Sequence, residues 1–183
     1  MVEWYIHFAI TKMIDIVDNY LPEKQFFELF NHMKDFSFDW HLSGIVSNEI
    51  TSNPILNWQL CHVFYRMHEH RRTFPLLIPT LRKINPVALL RIKANLSLAT
   101  TEIEEGGMHI DVEGEDVPDC VRTSILYMNT NDGYTIFEDG TKVESVMNRL
   151  VTFPHTMKHA GTTCTDVPFR MVINFNYITG TKL

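Results

Sequence analysis

Phe169-Arg170-Met171-Val172-Ile173-Asn174-Phe175-Asn176-Tyr177-Ile178 alternates with a period of two. Met171, Ile173, Phe175 and Tyr177 fall on one face of a strand, and Arg170, Val172, Asn174 and Asn176 fall on the other. The first face is apolar and buries itself. The second mixes polar groups with Val172, so Arg170 is expected to be half-buried and in need of an anion. A dicarboxylate ligand would supply one, and so would a structural Asp or Glu. Upstream, Val87 to Leu98 repeats the pattern, with Leu90, Ile92, Ala94, Leu96 and Leu98 alternating with Arg91, Lys93, Asn95 and Ser97. Between these two runs the strand signals are short and closely spaced. Asp139-Gly140, flanked by Thr135-Ile136-Phe137 and Thr141-Lys142-Val143, predicts a two-residue hairpin, and Asn131-Asp132-Gly133 marks another turn. Many short strands with regular turns indicate a sandwich or jelly roll.

The first half carries the helices. Leu21-Pro22-Glu23 starts one, with Pro in its first turn, and Phe26, Phe27, Leu29, Phe30 and Met33 follow at helical spacing. A second is expected over Pro75 to Ile84. Strands are expected over Met13 to Val17, Phe36 to Val46 and Trp58 to Met67, the last with Leu60, His62, Phe64 and Arg66 on one face. Trp4 to Ile10 suits either a strand or a helix, and Ser47 to Asn57 reads as a loop. The expected architecture is one domain over residues 1–183. Residues 1–86 form a supporting layer of helices and strands, and residues 87–183 form the β core.

The bulk numbers agree. A chain of 183 residues with 45% apolar content suits one well-packed domain. A formal net charge of −6 without a basic run argues against a nucleic-acid binder. No apolar stretch approaches the ~20 residues that span a bilayer. The start lacks a basic region and a cleavage signal, which argues against a secretory leader. Cys61, Cys120 and Cys164 lie far apart, an odd count that suggests free thiols in a reducing cytoplasm.

Chemistry concentrates between Gly106 and Tyr177. His109 and Asp111 are two apart, so on a strand an imidazole and a carboxylate point the same way. Gly106-Gly107 before them lets the backbone bend or approach closely. His159 lies far along the chain, and a partner strand could carry it to the same face. Two imidazoles and one carboxylate are the ligand set of non-haem Fe(II) oxygenases, which leave coordination positions open for a bidentate cosubstrate and O2. A His-x-Asp pair alone occurs often by chance. The order His-x-Asp, His159, then Arg170 eleven positions on is far more selective.

Those residues have company. Arg122-Thr123-Ser124-Ile125-Leu126-Tyr127-Met128-Asn129, Gly133-Tyr134-Thr135-Ile136-Phe137, Asn148-Arg149-Leu150-Val151-Thr152-Phe153 and His159-Ala160-Gly161 follow in order. Together they resemble the Fe(II)- and 2-oxoglutarate-dependent dioxygenases, and within them the prolyl-4-hydroxylase-like branch, over roughly residues 87–178. Asp18-Asn19-Tyr20-Leu21-Pro22 and its helix are similar to that branch's N-terminal support. The style also resembles short oxygenases carried by phages of aquatic bacteria. The resemblance implies a mainly β fold with supporting helices, a double-stranded β-helix with the metal at its open mouth. It implies His109, Asp111 and His159 as iron ligands, with Arg170 and Tyr127 binding the distal carboxylate of 2-oxoglutarate. It implies Fe(II) as cofactor, 2-oxoglutarate and O2 as cosubstrates, and ascorbate as a further candidate. Hydroxylation of a protein, a peptide (proline being the residue the family favours) or a small molecule would follow, in the cytoplasm (the host's, if the gene belongs to a phage). No nucleic acid and no membrane are expected as partners. Three departures bear on this. Arg170 stands where collagen-type members carry Lys, Ser97 falls near a position where many members carry Tyr, and Tyr134 replaces the second Gly of a Gly-Gly-x-Thr motif. A non-catalytic jelly-roll binding protein is the alternative.

The remaining histidines and aromatics have plainer readings. His62 reads as a core histidine. His68 and His70, beside Arg71-Arg72, read as a charged turn that could also line a substrate mouth. His155 could be mistaken for the distal ligand, but the His-Ala-Gly context favours His159. Trp40, Trp58, Phe26 and Phe27 are expected in the core. Asn95 is placed to point into the barrel. The acidic segment Val112 to Val121 suits a lid or a solvated loop.

Overall fold

A computed structural model describes residues 14–44, 58–114 and 117–180. The expectations for Trp4 to Ile10 and for Ser47 to Asn57 lie outside those residues. In chain order the elements are β1 (Asp15–Val17), α1 (Glu23–Lys34), β2 (His41–Gly44), β3 (Trp58–Arg66), β4 (Glu69–His70), a 3-10 turn (Phe74–Leu77) running into α2 (Ile78–Ile84), β5 (Ala88–Leu98), β6 (Val121–Tyr127), β7 (Tyr134–Phe137), β8 (Lys142–Glu144), β9 (Leu150–Pro154), β10 (His159–Gly161) and β11 (Phe169–Ile178). All named pairings are antiparallel. The large sheet has the order β1-β9-β6-β11-β5-β3-β2, with β4 on β3, and the small sheet the order β10-β7-β8.

Two cores explain the layering. The outer face of the large sheet presents Phe64, Ile92, Ala94, Ile173, Phe175 and Tyr177 to Phe26, Leu29 and Met33 of α1. Those three recur at helical spacing and are nearly inaccessible, each contributing about 1.5–3 kcal/mol of burial. The inner face of β6, β9 and β11 offers Ile125, Tyr127, Val151, Phe153 and Val172 to Phe137 and Val143 of the small sheet. β11 is therefore covered on both faces, as its central position in the large sheet requires. The result is the expected jelly roll backed by a helical layer.

Asn148 joins the two halves of the chain. It holds a positive φ of 60°, and its side chain accepts from Leu21 N–H at 2.9 Å and donates to Leu21 C=O at 2.8 Å. Arg149 donates to Asp18 at 2.6 Å beside it. The Asn148-Arg149-Leu150 motif thus anchors the support segment before α1.

Four expectations change. The Asp139-Gly140 hairpin has a three-residue loop: Phe137 N–H donates to Thr141 C=O at 2.9 Å, and Gly140 takes φ 84°, the geometry of a turn closed by a left-handed residue. Among the described residues the strand expected over Phe36 to Val46 is present at His41–Gly44, because a turn held by Asp35 and Ser37 occupies its start; residues 45 and 46 lie outside the described residues. Trp58 is 56% exposed and Phe27 37% exposed, and both lie outside the core, against the expectation. Finally, Arg66 does not share a face with Leu60, His62 and Phe64. The register between β3 and β5 slips after Val63, so Phe64 is an extra residue and Arg66 pairs with Arg91 on the inner side. Alternation counted along a sequence cannot foresee a bulge.

Candidate active site

His109 and His159 meet backbone to backbone. They form an isolated antiparallel bridge, each N–H donating to the other's C=O at 3.0 Å. This brings the two imidazoles to a centroid separation of 4.8 Å. Asp111, two residues on, sends its carboxylate to the same place: Oδ1 lies 3.9 Å from His109 Nε2, and Oδ2 lies 3.8 Å from His159 Nε2. One donor atom from each of the three falls within 4.8 Å of the others.

The ring orientations favour metal binding. His109 Nδ1 lies 3.0 Å from the Gly107 carbonyl, and His159 Nδ1 lies 3.2 Å from the Met157 carbonyl. A carbonyl only accepts, so both Nδ1 atoms carry the proton and both Nε2 atoms keep a lone pair. His159 Nε2 is buried and has no hydrogen-bond partner, which a neutral ligand nitrogen facing an ion would explain. Burial also holds the His159 pKa below the ordinary value, so the ring is neutral at neutral pH. Two nitrogens and one oxygen with this geometry fit a divalent first-row metal.

Asp111 is held from behind by residues that motif reading missed. Arg91 Nη2 donates to Oδ1 at 2.7 Å, Asn176 Nδ2 donates to Oδ2 at 3.1 Å, and Arg91 Nε donates to Asn176 Oδ1 at 3.1 Å. Asn176 Nδ2 also donates to Thr123 Oγ1 at 3.0 Å. Burial alone would raise the Asp111 pKa, but the neighbouring His159, Arg91 and His109 and the Asn176 hydrogen bond hold it below the usual carboxylate range. Arg91 and Asn176 are directly opposite on β5 and β11, and the register of that pair shifts right after Asn176. Alternation puts Arg91 and Asn176 on the polar faces of their strands. What they would touch was not readable there.

Arg170 is only 5% exposed. Its Nε donates to Ser145 Oγ at 2.8 Å and its Nη2 to Thr135 Oγ1 at 3.1 Å, and its carbon Cζ stands 5.5 Å from the Tyr127 ring centroid. These partners are hydroxyls and a ring, not carboxylates. Burial pulls the Arg170 pKa down, but a guanidinium stays charged in a protein. Tyr127 is fully buried and donates to Thr135 Oγ1 at 2.7 Å. Thr135 thus stands between Tyr127 and Arg170. A Cβ on Gly161 would lie 3.2 Å from Arg170 Nη1, and one on Gly133 would lie 2.9 Å from its Cδ. Gly161 therefore makes room for this side chain, whereas at Gly133 a Cβ would first meet the Thr163 carbonyl at 2.4 Å and Asn131 Oδ1 at 2.8 Å.

A cavity of about 350 Å³ connects the two centres. His109 and His159 line it, as do Thr135, Arg170, Asn95 and Asn174. Tyr127 and Asp111 are not among its lining residues. Asn95 does point inward, as expected, and the Oδ1 atoms of Asn95 and Asn174 are buried without a partner. Ser97 lies opposite Arg170 in register and also borders the space.

Other candidates fall elsewhere. His62 is a core residue bonded to the Asp39 carbonyl at 2.9 Å and to Thr73 Oγ1 at 2.8 Å. His68 and His70 lie at the exposed β3–β4 turn. His155 is buried but is not part of the three-residue cluster. Cys61, Cys120 and Cys164 are free.

Two His lining an internal cavity with Asp111 beside them, and a buried Arg lining it elsewhere, are the arrangement that the sequence resemblance implies. No family model and no curated protein matches the sequence. Solved structures do match. A prolyl hydroxylase from Trichoplax adhaerens, in complex with a peptide of the hypoxia inducible factor oxygen degradation domain, is similar with a TM-score of 0.63 at 14% identity, over 92% of this chain and 84% of that one. The viral collagen prolyl hydroxylase of Paramecium Bursaria Chlorella virus-1, in its 2OG complex, gives 0.57 at 13% identity, over 93% and 98%. The alpha ketoglutarate dependent carbocyclase SnoK from nogalamycin biosynthesis gives 0.56 at 12% identity, over 92% and 80%. At such identities the likeness establishes the fold, and these neighbours differ in what they act on.

Proposed function

We propose that this chain is an Fe(II)- and 2-oxoglutarate-dependent hydroxylase. The observation that carries the proposal is a cavity lined by two imidazoles with lone-pair Nε2 atoms, the Asp111 carboxylate beside them, and lined also by a buried guanidinium whose partners among the described residues are hydroxyls and a ring, not a carboxylate. Fe(II) held by His109, Asp111 and His159 would activate O2. Its chemistry joins 2-oxoglutarate, O2 and a C–H bond to give succinate, CO2 and a C–OH group.

The chain's own residues position and shield. Arg170 pairs with the distal carboxylate of 2-oxoglutarate, and the charge-assisted contact replaces water lost on entry. Ser145 fixes the plane of the guanidinium from behind. Thr135, itself held by Tyr127, adds a hydroxyl at the same end. Arg91 and Asn176 each occupy one lone pair of Asp111, which orients the carboxylate toward the imidazoles. Ile125 and Val172 keep part of the wall apolar, which limits water near the reaction.

Peptidyl proline is the substrate that the two prolyl hydroxylase neighbours favour. A free amino acid, another protein side chain or a small metabolite fits the same chemistry. A cytoplasmic location belongs to the same reading. No helix among the described residues is long and apolar enough to cross a membrane.

The test is succinate formation from 2-oxoglutarate by Fe(II)-loaded protein, with ascorbate keeping the iron ferrous. Turnover should need O2 and vanish in His109→Ala. Absent turnover, together with a melting temperature indifferent to Mn(II) plus 2-oxoglutarate, would leave a binding protein with an oxygenase fold.

A further inference from the structure

Asn95 on β5 and Asn174 on β11 both line the cavity. The Oδ1 atom of each is buried and has no hydrogen-bond partner. Asn174 is only 8% exposed, and Asn95 is half-buried. In register Asn95 stands opposite Val172 and Asn174 opposite Lys93, so the two amides are diagonal neighbours on adjacent strands. Even so, neither oxygen takes a hydrogen from the other's amide.

The polar groups on either side along β11 are committed. Asn176 donates to Asp111 and Thr123 and accepts from Arg91. Arg170 donates to Ser145 and Thr135. Val172, between Arg170 and Asn174 on the same face, shows that this row accommodates an apolar side chain. A buried amide oxygen without a donor is costly, and valine in its place would avoid that cost. Two such oxygens on one cavity wall therefore call for a ligand that supplies the donors. A terminal amide torsion is broad, so each oxygen can turn toward the space its residue lines.

2-Oxoglutarate does not fit that role, because two ionised carboxylates and a ketone only accept. A prolyl residue does not fit it either. Its nitrogen carries no hydrogen, and its ring presents only C–H bonds. We propose that Asn95 and Asn174 select a substrate that presents an N–H or O–H donor into the cavity, such as a secondary amide or an alcohol. The inference rests on the oxygenase reading above and names the substrate class for it, with peptidyl proline set aside.

The test uses two matched sets of probes on protein loaded with Mn(II) and 2-oxoglutarate. N-methylacetamide carries an N–H, and N,N-dimethylacetamide, like a prolyl amide, carries none. 2-Propanol carries an O–H, and acetone has a similar shape without one. Affinities are read by NMR titration for wild type, Asn95→Ala and Asn174→Ala; alanine shortens the side chain and cannot clash. Wild type should prefer the donor by about 10-fold in at least one set, and each variant should weaken that preference. The set that shows it assigns the donor to an amide or to a hydroxyl. Equal affinities within both sets, or a preference undiminished in either variant, overturn the proposal. In calorimetry the variants should bind 2-oxoglutarate within about 3-fold of wild type, and a loss of about 10-fold or more would make the two amides a cosubstrate site and overturn the proposal. Melting without ligand keeps a structural role apart. Each variant should melt close to or above the wild-type temperature, because it loses an unpaired buried group, and a drop of several degrees overturns the proposal. The same probe titrations on metal-free protein separate the two readings. Wild type that binds neither Mn(II) nor 2-oxoglutarate but keeps the donor preference refutes the oxygenase reading and leaves the donor site standing.

Discussion

Asn176→Leu tests how Asp111 is held. The side chain is completely buried and makes three hydrogen bonds, to Asp111 and Thr123 as donor and from Arg91 as acceptor. Leucine fills a similar volume but leaves an anionic oxygen, a hydroxyl and a guanidinium N–H each short of a partner. Hydrogen bonds to charged groups are worth about 1.5–3 kcal/mol, and some of this returns as Asp111 and Arg91 relax toward each other. A net loss of about 2–4 kcal/mol follows, and a domain of this size should melt roughly 5–15 °C lower. The metal effect is separate. Asp111 keeps its contact with Arg91 but loses the group that fixes its second oxygen, so Mn(II) should bind about 10–100-fold more weakly. The assay is calorimetric titration of Mn(II) at a temperature where circular dichroism shows both proteins folded. Arg91→Met should weaken binding in the same way, and the double variant should lose less than the two single losses combined, because the residues act as one unit. Unchanged Mn(II) affinity in folded Asn176→Leu would refute the reasoning, since Asn176 would then be filling space rather than orienting the ligand.

Arg170→Met should raise the KM for 2-oxoglutarate roughly 10–150-fold, the equivalent of about 1.5–3 kcal/mol of lost charge-assisted bonding, while Mn(II) affinity stays within a factor of two. Gly161→Ala should give a milder version of the same kinetic change, because its Cβ would stand 3.2 Å from Arg170 Nη1 and push the guanidinium; an unaltered KM would count against that contact. Asn148→Ala removes two buried hydrogen bonds to Leu21 and leaves alanine at a φ of 60°. It should cost about 2–4 kcal/mol in thermal or urea unfolding without changing kcat per folded molecule. For His159, the folded pKa lies below the unfolded value of 6.5, so the unfolded chain binds the extra proton first. Metal-free stability should therefore fall as pH drops below about 6.5, and His159→Gln should show a shallower decline between about pH 6.5 and 5; identical slopes would refute the assignment.

Much of the fold was readable because local pattern and burial agree. The ten-residue alternation of β11, the matching run in β5 and the aromatic stripe of α1 each predict an element with one apolar face, and each element has it. The misreadings have separate causes. Arg66 was assigned to the wrong face because a one-residue bulge reverses every side chain beyond it. Trp58 was placed in the core on its residue type alone, although it lies at one end of β3. The hairpin gained a residue because Asp-Gly satisfies either loop length, and strand register makes the choice.

At the site, sequence by itself determined the chemical inventory: His109-x-Asp111, His159 and Arg170, in an order that few other chemistries would produce. It also determined which face of β5 and β11 each side chain takes, since that follows from the two-residue period. Only the tertiary structure decided who meets whom. The bridge between His109 and His159, the grip of Arg91 and Asn176 on Asp111, and the placement of Thr135 between Tyr127 and Arg170 join residues 8–85 positions apart. Such contacts depend on register between strands distant in the chain. Register is set by the summed packing of two cores, which no single motif contains.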